Sequence, residues 1–123
     1  MSTRATYGFE RDGIKTVFYV HCDGYPEGAA VKFGDSLGRP EGEGFAESFM
    51  RANVGAEFTE SHEIHGDTEY RYQVKEKWER NESFGAVQVL EITATKRGGD
   101  WKYPTWNEFF KGSVLDFVAK YSK

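Results

Sequence analysis

The feature that most constrains this chain is a pair of alternating runs near its start, Thr3 to Glu10 and Ile14 to Asp23, flanking Asp12-Gly13. Asp-Gly between two runs of period 2 is the composition of a type I′ hairpin turn, which needs positive φ at both central residues. With Asp12 and Gly13 as the loop, Ala5 faces Val20, Tyr7 faces Phe18 and Phe9 faces Thr16, so one mostly apolar face must be buried. The opposite face sets Glu10 across from Lys15, Thr6 across from Tyr19 and Arg4 across from His21, with Asp23 following on the same side.

Beyond Asp23 the chain must turn sharply. Gly24 is expected to take a backbone angle that other residues resist, Pro26 suits a first helical turn, and Glu27 complements the dipole there. Asp23 therefore stands just before a helix N-terminus, where unpaired N–H groups attract anions. Together with Arg4 and His21 it would form a phosphate- or carboxylate-sized pocket, with Tyr19 or Tyr25 able to stack on a base. The candidate ligand-binding set is Arg4, Tyr19, His21, Asp23, Gly24 and Tyr25. The plainer alternative has Asp23 capping the helix and pairing with Arg4 for structure alone.

The residues Ser2-Thr3-Arg4 and His21-Cys22-Asp23-Gly24-Tyr25-Pro26-Glu27-Gly28-Ala29 carry a resemblance. Small uncharacterised proteins of phages, prophages and plasmids open with a similar short Met-Ser/Gly/Ala-Thr-Arg segment, a strand and an H-x-D-G-Y-P-x-G box. Cys22 stands where an aromatic residue is usual. The resemblance covers about the first thirty residues and implies a mobile-element setting rather than a reaction, with Arg4, His21, Asp23, Gly24, Tyr25 and Pro26 forming one structural unit.

A chain of 123 residues, 38% hydrophobic and 16% aromatic, fits one domain spanning 1–123 around one core. A formal charge of −4 argues against direct nucleic-acid binding, which needs a basic surface. One cysteine excludes an internal disulfide, and no apolar run approaches the roughly 20 residues that span a bilayer. With no apolar signal-peptide core, a cytoplasmic location without membrane contact is expected.

Downstream, the pattern predicts a helix over Pro26–Leu37, an exposed loop over Gly38–Gly44 and a second helix over Phe45–Ala52. Phe58 and Ile64, then Tyr70, Tyr72 and Val74, alternate with polar residues, which predicts two strands joined by a turn at His65-Gly66-Asp67-Thr68. Glu79–Ser83 reads as a connection, and Ala86–Lys96 as a β-branched strand central in the sheet. Thr105 with Glu108 has capping-box spacing before Phe110, Val114, Phe117, Val118 and Tyr121, predicting a final helix. The expected fold class is α+β: a single layer of antiparallel sheet with helices on one face, in the order β-β-α-α-β-β-β-α.

Familiar chemistry finds little footing. His62, His65 and Asp67 surround one turn without further Cys or His, so no metal is expected, and no cofactor motif occurs. Alternation along a strand would bury Cys22 between His21 and Asp23. Ser2, exposed by loss of Met1, resembles the first residue of N-terminal-nucleophile hydrolases, although this chain is too short for their four-layer sandwich. No catalytic residue is therefore assigned.

Acidic residues gather instead from Glu41 to Glu47 and again from Glu57 to Glu69, with Glu41, Glu43, Glu57, Glu60 and Glu63 as the interface candidates. Such patches are either an ordinary solvated surface or an interface for a host protein with a basic nucleic-acid-binding groove. The second reading, joined to the mobile-element resemblance, describes an interaction protein that inhibits a host defence system, of the anti-CRISPR kind. A hydrophobic edge strand near Val87 would favour a homodimer.

Overall fold

The computed structural model of the chain describes residues 3–38, 43–83, 85–100 and 102–122. Its first two strands, β1 (Ala5–Arg11) and β2 (Ile14–Val20), form the expected hairpin, with Ala5 opposite Val20, Tyr7 opposite Phe18 and Phe9 opposite Thr16. Asp12 (φ 51°) and Gly13 (φ 80°) both lie in the left-handed region, as a type I′ turn requires. Helices α1 (Pro26–Leu37) and α2 (Phe45–Ala52) follow with the anticipated bounds. Of the loop between them, residues 39–42, including Glu41, lie outside the described residues.

The second half of the chain is arranged differently from its sequence pattern. After the short β3 (Glu57–Thr59) come β4 (Tyr70–Asn81), β5 (Gly85–Gly99), β6 (Pro104–Ser113) and α3 (Val114–Tyr121). They form one six-stranded sheet in the order β3-β2-β1-β4-β5-β6. The sheet is mixed rather than wholly antiparallel, because β4 runs parallel to β1, with Ala5 opposite Tyr70 and Phe9 opposite Val74. The element order therefore contains one more strand than the pattern predicts.

Three departures follow from pairing between distant segments. The segments around Phe58 and Tyr72 do not form a hairpin: β3 pairs with β2, whereas β4 pairs with β1 and β5. Residues 60–69 cross from one edge of the sheet to its middle, a strap long enough at roughly 3.3 Å per residue to pass two strands about 4.8 Å apart. Glu79–Asn81 continues β4, leaving a shorter connection to β5. β4 flanks β5 along most of its length but β6 only over Glu91–Gly99, so the stretch around Val87 pairs with β4 alone among the described residues, and the middle of the sheet is the β1–β4 pair.

The third departure is at the C-terminus. Thr105 and Glu108 lie within β6, and α3 begins only after Ser113, whose hydroxyl accepts from the Asp116 amide at 3.0 Å. Ser113 thus supplies the cap. The stretch before it goes to pair with β5, whose backbone groups need a partner on that side.

All three helices cover one face. Tyr7, Phe9, Phe18, Tyr72, Val74, Ile92 and Ala94 point toward them from the sheet, and Phe33, Phe45, Phe49 and Phe117 point back. Phe33 meets six other rings within 6.4 Å: Tyr7, Phe9, Phe45, Phe49, Tyr72 and Phe117. Edge-to-face and offset contacts of this kind add to the burial of large apolar area. Glu76, also buried, binds the Phe45 amide through Oε1 at 2.7 Å and so anchors the start of α2.

The H-x-D-G-Y-P-x-G segment docks α1 onto this layer. Gly24 donates its N–H to the Thr3 carbonyl at 2.9 Å and accepts the Tyr72 hydroxyl at 2.6 Å. A Cβ on Gly24 would lie 2.7 Å from the Ala5 Cβ, and one on Gly28 would strike the Asp23 carbonyl. Close approach, not an unusual backbone angle, therefore excludes side chains at Gly24; the positive φ belongs to Asp23, at 57°.

Candidate functional site

Among the described residues the opposite face of the sheet carries no helix. Thr6 and Gly8 point to it from β1, Tyr19 from β2, and Arg71 and Gln73 from β4, and the strap of residues 60–69 lies over them. The chain's three histidines all work at this face.

His62 lies deepest. Its Nε2 is 2.8 Å from the Gln73 Oε1 and its Nδ1 2.6 Å from the Thr6 hydroxyl. An amide oxygen only accepts, so Nε2 carries the proton and Nδ1 receives the one from Thr6. Burial lowers the His62 pKa, Gln73 partly offsets this, and nearby Arg71 lowers it further, so the ring is held neutral. Gly8 is what lets the ring approach: a Cβ there would strike Gln73 Oε1 and lie 2.6 Å from His62 Nε2.

Tyr19 organises the neighbouring cluster. Its hydroxyl donates to Asp67 Oδ2 at 2.7 Å, His65 stacks on its ring at 4.2 Å, and His21 meets its edge at 4.6 Å. Burial and the Asp67 hydrogen bond push the Tyr19 pKa up to about 12, so the phenol stays protonated and donating. Asp67 also faces Arg4 Nε at 3.3 Å, an ion pair without hydrogen-bond alignment. His21 Nε2 is 3.3 Å from Glu57 Oε2, and His65 Nε2 is 2.6 Å from the Thr59 hydroxyl.

Backbone contacts fasten the end of the strap. The Glu69 amide donates to the Arg4 carbonyl and its own carbonyl accepts from the Arg97 amide, both at 2.9 Å, while Arg97 Nη1 donates to the Gly66 carbonyl at 2.5 Å. Arg71 stacks on Trp106, 3.8 Å from the ring centroid. Glu63, bound by its own backbone N–H and by Ser61, with Arg71 nearby, has its carboxyl pKa lowered.

The structure thus brings Arg4, Tyr19 and His21 together and separates them from Asp23 and Tyr25. Asp23 turns to the α1 side, where its Oδ1 is 3.4 Å from the Tyr25 hydroxyl and its carbonyl 3.4 Å from Lys32 Nζ. A cleft of about 330 Å³ there is lined by Asp23, Tyr25, Glu27, Gly28, Val31 and Lys32. Asp23 makes no cap; Tyr25 occupies the N-cap position without a side-chain hydrogen bond. Two carboxylates line that cleft, and Arg4 and His21 already face carboxylates of their own, so an anion entering either place would have to displace them.

Cys22 is exposed rather than buried, because β2 ends at Val20 and the alternation stops with it. His62 and His65 are each engaged by hydroxyl or amide groups; among the described residues no cluster of three or more His, Cys, Asp or Glu side chains converges as metal ligands. Ser2 lies outside the described residues.

Of the acidic candidates, Glu43 pairs with Arg51 at 2.6 Å on the helix side, remote in the sequence from the strap. Glu57, Glu60 and Glu63 are exposed along β3 and the strap, joined by exposed Asp67 and Glu69 from the same acidic stretch. The whole stretch lacks Lys and Arg. Among the described residues no helix is long and apolar enough to cross a membrane. Comparison with protein-family models, curated proteins and solved structures returns no match to this chain.

Proposed function

We propose that the protein is an interaction protein of phage or mobile-element type that occupies a basic, nucleic-acid-binding groove on a host protein. Inhibition of a host defence system, as by an anti-CRISPR protein, is the form this activity takes. The observation that carries the reading is the segment Glu57–Glu69. It holds five carboxylates and no lysine or arginine, and all five of those side chains are exposed.

Pre-organisation adds support. The strap is tied to the sheet by His62, Asp67 and the Glu69 backbone, so its charges are presented in a set arrangement rather than on a flexible tail. Ile64, 58% exposed among these carboxylates, offers an apolar contact of the kind that anchors an interface.

The test is capture of host proteins by the purified chain, with a short DNA duplex as competitor. Wild type should retain a partner that the duplex displaces, and Glu57→Lys combined with Glu60→Lys and Glu63→Lys should abolish retention while circular dichroism is unchanged. Retention by the triple variant, or indifference to DNA, would exclude the strap as the contact.

A further inference from the structure

The two outermost strands of the sheet are unlike. β3 spans three residues, and brevity alone makes it a poor template for another strand. β6 spans ten, half of them exposed and none buried, and among the described residues it pairs on one side only.

The two long-range features of β6 are a bulge and a charge pattern. Its ladder with β5 shifts between Ala94 and Thr95, so that Phe110 faces Ala94 and Glu108 faces Thr95, with Phe109 extra. Phe109 and Phe110 both turn to the helix-covered side, each meeting the Tyr121 ring at 6.1 Å. Glu108 and Lys111, three residues apart, would stand on opposite faces of a regular strand. The bulge instead puts both on the outer face, across from Thr95 and Thr93. Both are exposed, and neither has an ion-pair partner among the described residues.

We propose that β6 pairs antiparallel with β6 of a second copy of this chain, about a two-fold axis through the bulge. In that register Glu108 faces Lys111 of the second copy, and symmetry repeats the pair. Asn107 then faces Gly112, Trp106 faces Ser113 and Phe109 faces Phe110, and every facing pair shares a side of the sheet. Moving the axis onto Glu108 or Lys111 would instead set like charges against each other, which disfavours those registers. The axis stands perpendicular to the sheet, so the helices of both copies share one face and both straps the other.

Sedimentation equilibrium tests this directly. Wild type should dimerise; Glu108→Lys or Lys111→Glu alone should weaken the dimer about tenfold or more, since each places two like-charge pairs at the seam. The combined Glu108→Lys/Lys111→Glu chain should recover it. Zero-length carbodiimide cross-linking of wild type should join Glu108 to Lys111 between copies, a readout independent of how the variants fold. A monomeric wild type, single variants that dimerise as well as wild type, or a double variant that stays monomeric would each overturn the proposal.

Discussion

Alternate residues of β1 enter two unlike environments: Ala5, Tyr7 and Phe9 face the helices, while Thr6 and Gly8 face the strap. On the helix side the contacts are ring against ring, and many partners share each loss. On the strap side a few hydroxyls, imidazoles and carboxylates contact one another singly, so each bond depends on the protonation and placement of one atom. The first arrangement resists change in solvent conditions; the second can be adjusted by them, and it is the side that presents charge.

The helix side should show the largest single effect. Phe33→Ala removes a fully buried ring from the centre of the aromatic cluster and should cost about 3–5 kcal/mol in urea unfolding. A loss below about 1 kcal/mol would mean that the helices do not depend on that cluster.

Neighbouring hydroxyls sharpen the contrast. Thr6→Val leaves His62 Nδ1 buried without its donor and should cost about 1–3 kcal/mol. The Tyr7 hydroxyl is buried with no hydrogen-bond partner among the described residues, and burial raises its pKa. Tyr7→Phe should therefore be neutral or slightly stabilising in the same assay. Equal losses from the two changes would erase the distinction between the faces.

Acid should act on the strap side, with the smallest effect of the three. Because folding lowers the His62 pKa from its ordinary 6.5, the unfolded chain binds that proton more readily than the folded one. The stability from neutral His62 is fully present above about pH 6.5 and is lost as pH falls from there through the lowered folded value. Unfolding free energy measured across pH 7.5 to 5 should thus fall more steeply for wild type than for His62→Asn. Parallel curves would assign the acid sensitivity to other groups.

Much of the candidate site could be read from the chain alone, but only one side of each contact. Alternation along the opening hairpin places Arg4, Tyr19 and His21 on one face. Their partners Asp67, His65 and Glu57 lie some 36 to 63 residues away along the chain, and nothing in the hairpin names them. Asp23 left the cluster because β2 ends before it and the backbone turns at that residue.

What the sequence determined by itself was local: the Asp12-Gly13 turn with its register, the Pro26 start of α1 and the span of α2, each decided by residues within a few positions of one another. Tertiary structure alone decided that β4 lies parallel beside β1, that residues 60–69 cross the open face, and that Thr105–Ser113 extends as a strand instead of coiling. An apolar period states which side of a segment must be buried, while the choice among distant partners depends on which whole arrangement buries the most surface and satisfies the most backbone groups.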